Sequence, residues 1–278
     1  MTNIFSESGS SPLAVYVEGI GLLGPGLSSW KEGRLCLDGG IAFQPARCVL
    51  PLPMALPSAE RRRAGAVVKV SLAVGQQAVE ASGLDAKTLP SVFSSSSGDA
   101  VNCHEICSAL ASGDRLISPT RFHNSVHNAS SGYWSISSGA MASSSVLCGR
   151  DAGFAAGLLE AMTQCVVDDG PVLLVVYDTE YPEPLYSKRP LPDTMGVALV
   201  LAAKRSERSL ACVTLDGCAF MTASAADTMA DPGLELLRLS IPAARALPLL
   251  QCIAARETRV VVLAYLEPSQ LAVEVAPC

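Results

Sequence analysis

Apolar positions fall into short continuous runs, separated by small, Gly- and Pro-rich stretches and by segments at helical spacing. The run "LAVYVEGIGLLGPG" at 13–26 predicts a strand entering a glycine-rich turn. Gly19, Gly21 and Gly24 match the letters of a dinucleotide loop, but Pro25-Gly26 breaks the helix that would receive a pyrophosphate. Pro45, Pro51, Pro53 and Pro57 mark a loop. Ser58 then reads as the cap of a helix whose apolar positions Ala66, Val67, Val70, Ala73, Val74 and Ala78 keep helical spacing to about Ser82, with Gly83 as its stop. A strand and turn follow at 91–99, and a helix over 103–112. Residues 118–139 read as an extended loop after Pro119 that becomes helical through about Asn128–Ser137.

The run 170–179 is apolar throughout and predicts a buried central strand. Residues 195–203 and 210–220 read as two strands, a candidate antiparallel pair. Pro242 and Pro248 divide 232–256 into two helical pieces, and two strands close the sequence. Helices alternating with apolar strands predict a layered α/β fold. Residues 1–12 read as a disordered lead without the basic and apolar segments of a secretory signal.

Composition agrees with a well-buried globular chain: 278 residues, 49% hydrophobic and 17% charged. A net charge of −6 argues against nucleic acid as a partner. The Arg61–Arg63 run reads as a solvated helix start or a local patch for an acidic carrier domain. No apolar run has transmembrane length, so a cytoplasmic protein without a transmembrane segment is expected. Ten scattered cysteines read as small buried thiols of a reducing compartment. Cys103, His104 and Cys107 lack a nearby second ligand pair, so neither a metal nor a cofactor is expected.

The most informative segment is "SSSVLCGRDAG" at 143–153. Small residues lead into Val146-Leu147-Cys148, a Gly149-Arg150-Asp151 corner, and a helix from about 152 to 166. A strand entering a sharp turn that opens a helix is where many α/β enzymes hold a nucleophile. Upstream, His123, Asn124, His127 and Asn128 form a repeat inside "SPTRFHNSVHNASSGYWSI".

The order of these segments over 13–205 resembles the amino-terminal half of a β-ketoacyl synthase. The segment around His123 is similar to that of the short, chain-length-factor-like branch found in aryl polyene and xanthomonadin-type pigment clusters. The resemblance implies a thiolase-like layered fold: a synthase-like domain at 13–205 and a reduced carboxy-terminal α/β extension at 206–278 packed on it. It places Arg150 where the synthases carry a nucleophilic Cys. Arg has no lone pair to attack a thioester. A synthase also carries two catalytic histidines in its second half, whereas the three histidines here are His104, His123 and His127.

The resemblance therefore implies a non-catalytic subunit. It would pair with a Cys-containing β-ketoacyl synthase as a heterodimer, meet acyl carrier protein through that complex, and shape the acyl pocket during polyene or fatty-acid-like elongation. Arg150 would help close the acyl cavity, pair with an acid, or sit at the surface. Phe122, His123, Asn124, His127, Asn128 and Trp134 would line the pocket or the subunit interface. Simple buried hydrogen bonding and half a metal site are the other readings of the two His-Asn pairs. Cys148, inside a strand and short of the helix dipole, reads as a buried structural thiol. It is also the backup nucleophile of a rival, a reduced acyltransferase or thioesterase using His123 or His127. A self-associating scaffold is a third possibility.

Overall fold

The computed structural model describes residues 12–216 and 221–278. Its strands are β1 (Leu13–Leu23), β2 (Ser91–Ser95), β3 (Ser144–Cys148), β4 (Val172–Asp178), β5 (Met195–Ala202), β6 (Ala211–Leu215), β7 (Met221–Thr222), β8 (Arg259–Leu263) and β9 (Gln270–Pro277). Its helices are α1 (Trp30–Leu37), α2 (Ser58–Arg63), α3 (Ala66–Ser82), α4 (Ala100–Ala111), α5 (Pro119–His123), α6 (Ala129–Ser138), α7 (Gly153–Val167), α8 (Leu185–Lys188), α9 (Pro232–Ser240) and α10 (Leu247–Ala255). The lead at 1–11 and the end of the run read at 210–220 lie outside the described residues.

One nine-stranded sheet runs in the order β3-β2-β4-β5-β1-β6-β9-β7, with β8 on β9. β2, β3 and β4 are parallel, and β5 runs antiparallel to both β4 and β1. All seven residues of β4 are buried because helices cover both faces. On one face α3 packs under α6, bringing Val68, Val74 and Trp134 together with Phe93, Val175 and Val200. On the other face α7, α10 and a 3-10 turn at Pro242–Ala246 bury Phe154, Leu158, Leu247 and Leu250 against Val92, Leu174 and Leu199. The strands after residue 205 extend this same sheet.

Gly19 and Gly21 have a packing role. A Cβ at Gly21 would stand 1.9 Å from the Val74 carbonyl oxygen, and one at Gly19 would stand 2.1 Å from that of Ala78. The α3 backbone rests directly on β1, which only a residue without a side chain permits.

Several expectations are corrected. β5 and β6 do not pair: β1 lies between them, bonded to β5 over Tyr16–Leu23 and to β6 over Leu13–Val17. Two apolar runs joined by a short polar loop look alike whether they form a hairpin or flank a third strand. The helix read from Ser58 to Ser82 is broken at Ala64-Gly65, and Pro57 rather than Ser58 takes the capping position. Pro119 opens the short helix α5 instead of an extended loop, because proline's missing N–H costs nothing at a first helical position. Helix α1 was not foreseen; the Ser29 side chain accepts the Glu32 N–H at its start.

Candidate functional site

The parallel strands β2, β3 and β4 end at the same edge of the sheet, where open α/β sheets carry their ligands. β2 leads into the Ser96–Asp99 turn before α4, β3 into the Gly149–Asp151 corner before α7, and β4 into the loop at 179–190.

The corner is tight. The Gly149 N–H donates to the Ser95 carbonyl at 3.2 Å, and the Ala152 N–H donates back to the Gly149 carbonyl at 2.9 Å. Arg150 has φ of +49°, a left-handed conformation that costs a residue with a side chain about 1–3 kcal/mol. Its side chain is exposed. A strained residue thus stands at the position where the resemblance puts a nucleophile.

Cys148 is exposed, not buried as expected. Its strand is the edge of the sheet among the described residues, with β2 on one side. Its Sγ donates to the Ser96 carbonyl at 3.2 Å. His127 lies nearby, but its Nε2 is 3.3 Å from the Leu147 carbonyl and its bond is made there. The cysteines as a group also differ from expectation: Cys165 and Cys252 are buried, while Cys103 and Cys107 are exposed as well.

The His-Asn repeat is not one helical face. α5 ends at His123, whose side chain is exposed, and α6 begins after Asn128. Asn124 is buried: its Nδ2 donates to the Arg63 carbonyl at 3.1 Å, and its Oδ1 accepts the Tyr133 hydroxyl at 3.2 Å. Asn128 is exposed and offers its carbonyl to the Gly132 N–H. Trp134 is buried against Gly75 of α3. Phe122 is 69% exposed and Met141 94% exposed, and Val126 and Ile136 also face solvent. These residues lie on the segments that precede edge strand β3 in the chain.

A polar network beneath the corner went unread in the sequence. Asp178, at the end of β4, is fully buried; its Oδ1 accepts the Ser96 N–H at 2.8 Å and its Oδ2 accepts the Ala243 N–H at 2.9 Å. Burial pushes its carboxyl up to about 6, although both donors and the Arg189 charge pull it down. The Tyr181 hydroxyl bonds Ser97 Oγ at 2.6 Å and accepts from Arg189 at 3.2 Å. Arg189 in turn pairs with Asp151 of the corner. Among the described residues no group of three or more His, Cys, Asp or Glu side chains is arranged to hold a metal ion, and no helix is long and apolar enough to cross a membrane.

The profile of the family described as "Beta-ketoacyl synthase, N-terminal domain" matches residues 43–258. The chain belongs to the β-ketoacyl synthase family. That range includes the corner, the His-Asn repeat and most of the segment after residue 205. No curated protein matches the chain. Among solved structures it is similar to a chain of the ketosynthase ApeO in complex with its chain length factor ApeC from Xenorhabdus doucetiae, with 22% identity and a TM-score of 0.68, covering 94% of this chain and 99% of that one. It is similar to a chain of AntDE:AntF, a type II acyl-carrier protein in complex with its ketosynthase, with 12% identity and a TM-score of 0.71, covering 95% and 99%. The ishigamide ketosynthase/chain length factor gives 12% identity and a TM-score of 0.63, covering 95% and 99%. These likenesses establish the layered, thiolase-like ketosynthase fold. Near-complete coverage of the matched chains shows that a fold of this reduced size has precedents. The corner lies inside the matched range, and the residue at its tip is Arg150.

Proposed function

We propose that this β-ketoacyl synthase family member is a non-catalytic, chain-length-factor-like subunit. It pairs in the cytoplasm with a Cys-containing β-ketoacyl synthase and shapes the pocket for an acyl chain delivered on acyl carrier protein, in the manner of aryl polyene elongation. One observation supports the reading: the residue at the tip of the corner, with φ of +49°, is an arginine, and an arginine cannot form a thioester. Selection for attack would retain a thiol there.

The partner surface follows from the uncovered edge. Among the described residues strand β3 pairs with β2 alone, and Phe122, Val126, Ile136 and Met141 are exposed on the segments before it. An open edge beside exposed apolar side chains is a surface that a partner covers. Complexes of a ketosynthase with a chain length factor among the similar structures support this pairing.

Exposed Cys148 keeps the acyltransferase reading in play, with His127 bonded through Nε2 to the Leu147 carbonyl. Incubation of the purified chain with a malonyl or acyl thioester, followed by intact-mass analysis, decides between the two. The expected spectrum shows no covalent acyl adduct. A turnover-competent adduct lost in Cys148→Ser would overturn the non-catalytic reading.

A further inference from the structure

Asp151 opens onto a small recess between the corner and the end of α9. Arg189, Ser240, Pro242 and Arg245 wall it, and its volume is about 160 Å³. The Asp151 carboxylate pairs with Arg189. Arg189 also donates to the Tyr181 hydroxyl, with its guanidinium 5.7 Å from that ring's centroid. Arg245 is in a different position. Its side chain is only 23% exposed, and its nearest opposite charge is Asp151 Oδ2 at 3.8 Å, beyond hydrogen-bond distance. The Ser240 hydroxyl donates to the Leu236 carbonyl, and it makes no bond with Arg245. Among the described residues the Arg245 guanidinium has no hydrogen-bond acceptor.

Two guanidiniums therefore face one carboxylate, and Arg245 meets it only across a long 3.8 Å contact. A guanidinium so loosely paired and three-quarters covered has donors left over for a second anion. Its planar fork matches the two oxygens of a carboxylate or phosphate. We propose that this recess binds a small oxyanion, a carboxylate or a phosphate group, held between Arg245 and Arg189 beside the corner. The size limits the choice. At about 30 Å³ per water the recess holds roughly five waters, enough for phosphate, acetate or malonate and too little for a nucleotide or an acyl chain. Asp151 is the built-in competitor, holding Arg189 while the recess is empty. A bound anion ties the segment that ends in Arg189 to the Pro242–Ala246 turn, because Arg189 and Arg245 lie on those two segments. The site stands without the pairing reading, since it needs this chain alone.

The test is calorimetric titration of the full chain at constant ionic strength, with inorganic phosphate in one arm, malonate in a second and chloride as the control. Saturable binding of phosphate or malonate, absent with chloride, is expected, and the arm that binds more tightly identifies the source of the anion. Arg245→Gln should weaken that binding at least about tenfold, and Arg245→Lys, which keeps the charge but not the fork, by several-fold. Asp151→Asn should tighten it about fivefold by removing the competitor. No saturable binding in either arm overturns the site. So does unchanged affinity in both Arg245 variants, or weaker binding in Asp151→Asn.

Discussion

Arg150 holds a backbone conformation that a glycine would occupy freely. Arg150→Gly should therefore raise stability by about 1 kcal/mol, read from urea unfolding. If the side chain also closes the acyl cavity, the same variant, co-expressed with the synthase, should lengthen the acyl products. Lower stability would show that the arginine's contacts outweigh the strain. The second residue that sets the behaviour of the corner is Asp178. Its carboxyl stands at about 6 when folded against an ordinary 3.8, because burial outweighs the donors that favour its charge. The folded protein thus holds a proton that the unfolded chain has released between roughly pH 4 and 6. The stability linked to that proton is complete below the unfolded value and is lost as pH rises through 6, about 3 kcal/mol in all. Asp178→Asn cannot titrate, so it should gain on the wild type by up to that amount between pH 4 and 7. Denaturation curves that stay parallel across that range would contradict the burial. Arg150 could be singled out in the sequence because its neighbours, Gly149 and Gly153, spell a corner. Asp178 could not, because its two backbone partners lie 82 and 65 residues away.

The junction of α3 with β1 sets how the layers close. With no room at Gly21, Gly21→Ala must push α3 off the sheet and should cost about 3 kcal/mol in a urea titration. An unchanged midpoint would mean that the helix does not rest there. The opposite kind of junction is edge strand β3, whose segments expose their apolar residues. Phe122→Glu and Met141→Glu replace side chains that are 69% and 94% exposed, so neither should lower the thermal midpoint of the isolated chain. Each should reduce co-purification with the synthase at least about tenfold, because a charge would be buried without a partner. Loss of fold in either variant would show that the surface is internal. Alternation and capping made most elements legible: Gly83 does end α3, and the run at 170–179 is the central strand β4. The neighbours of each strand were not legible. Periodicity reports which residues face a core, and it carries no record of whether β5 and β6 touch each other or both touch β1.

The whole molecule is one sheet with helices on both faces, ending at one side in an open, parallel edge strand. Its layered class and family were readable from the corner, the His-Asn repeat and the order of runs. Which aromatic positions are exposed was not, because Phe122 and Trp134 are indistinguishable until the fold buries one and exposes the other. The proposed role, a subunit that works beside a synthase, rests on the arginine at the corner and on the edge position of β3. Co-expression of this chain with a Cys-containing β-ketoacyl synthase, followed by native mass spectrometry of the purified material, tests that most directly. The expected result is a one-to-one heterodimer as the dominant species. Two separate species, with this chain monomeric or paired only with itself, would contradict it.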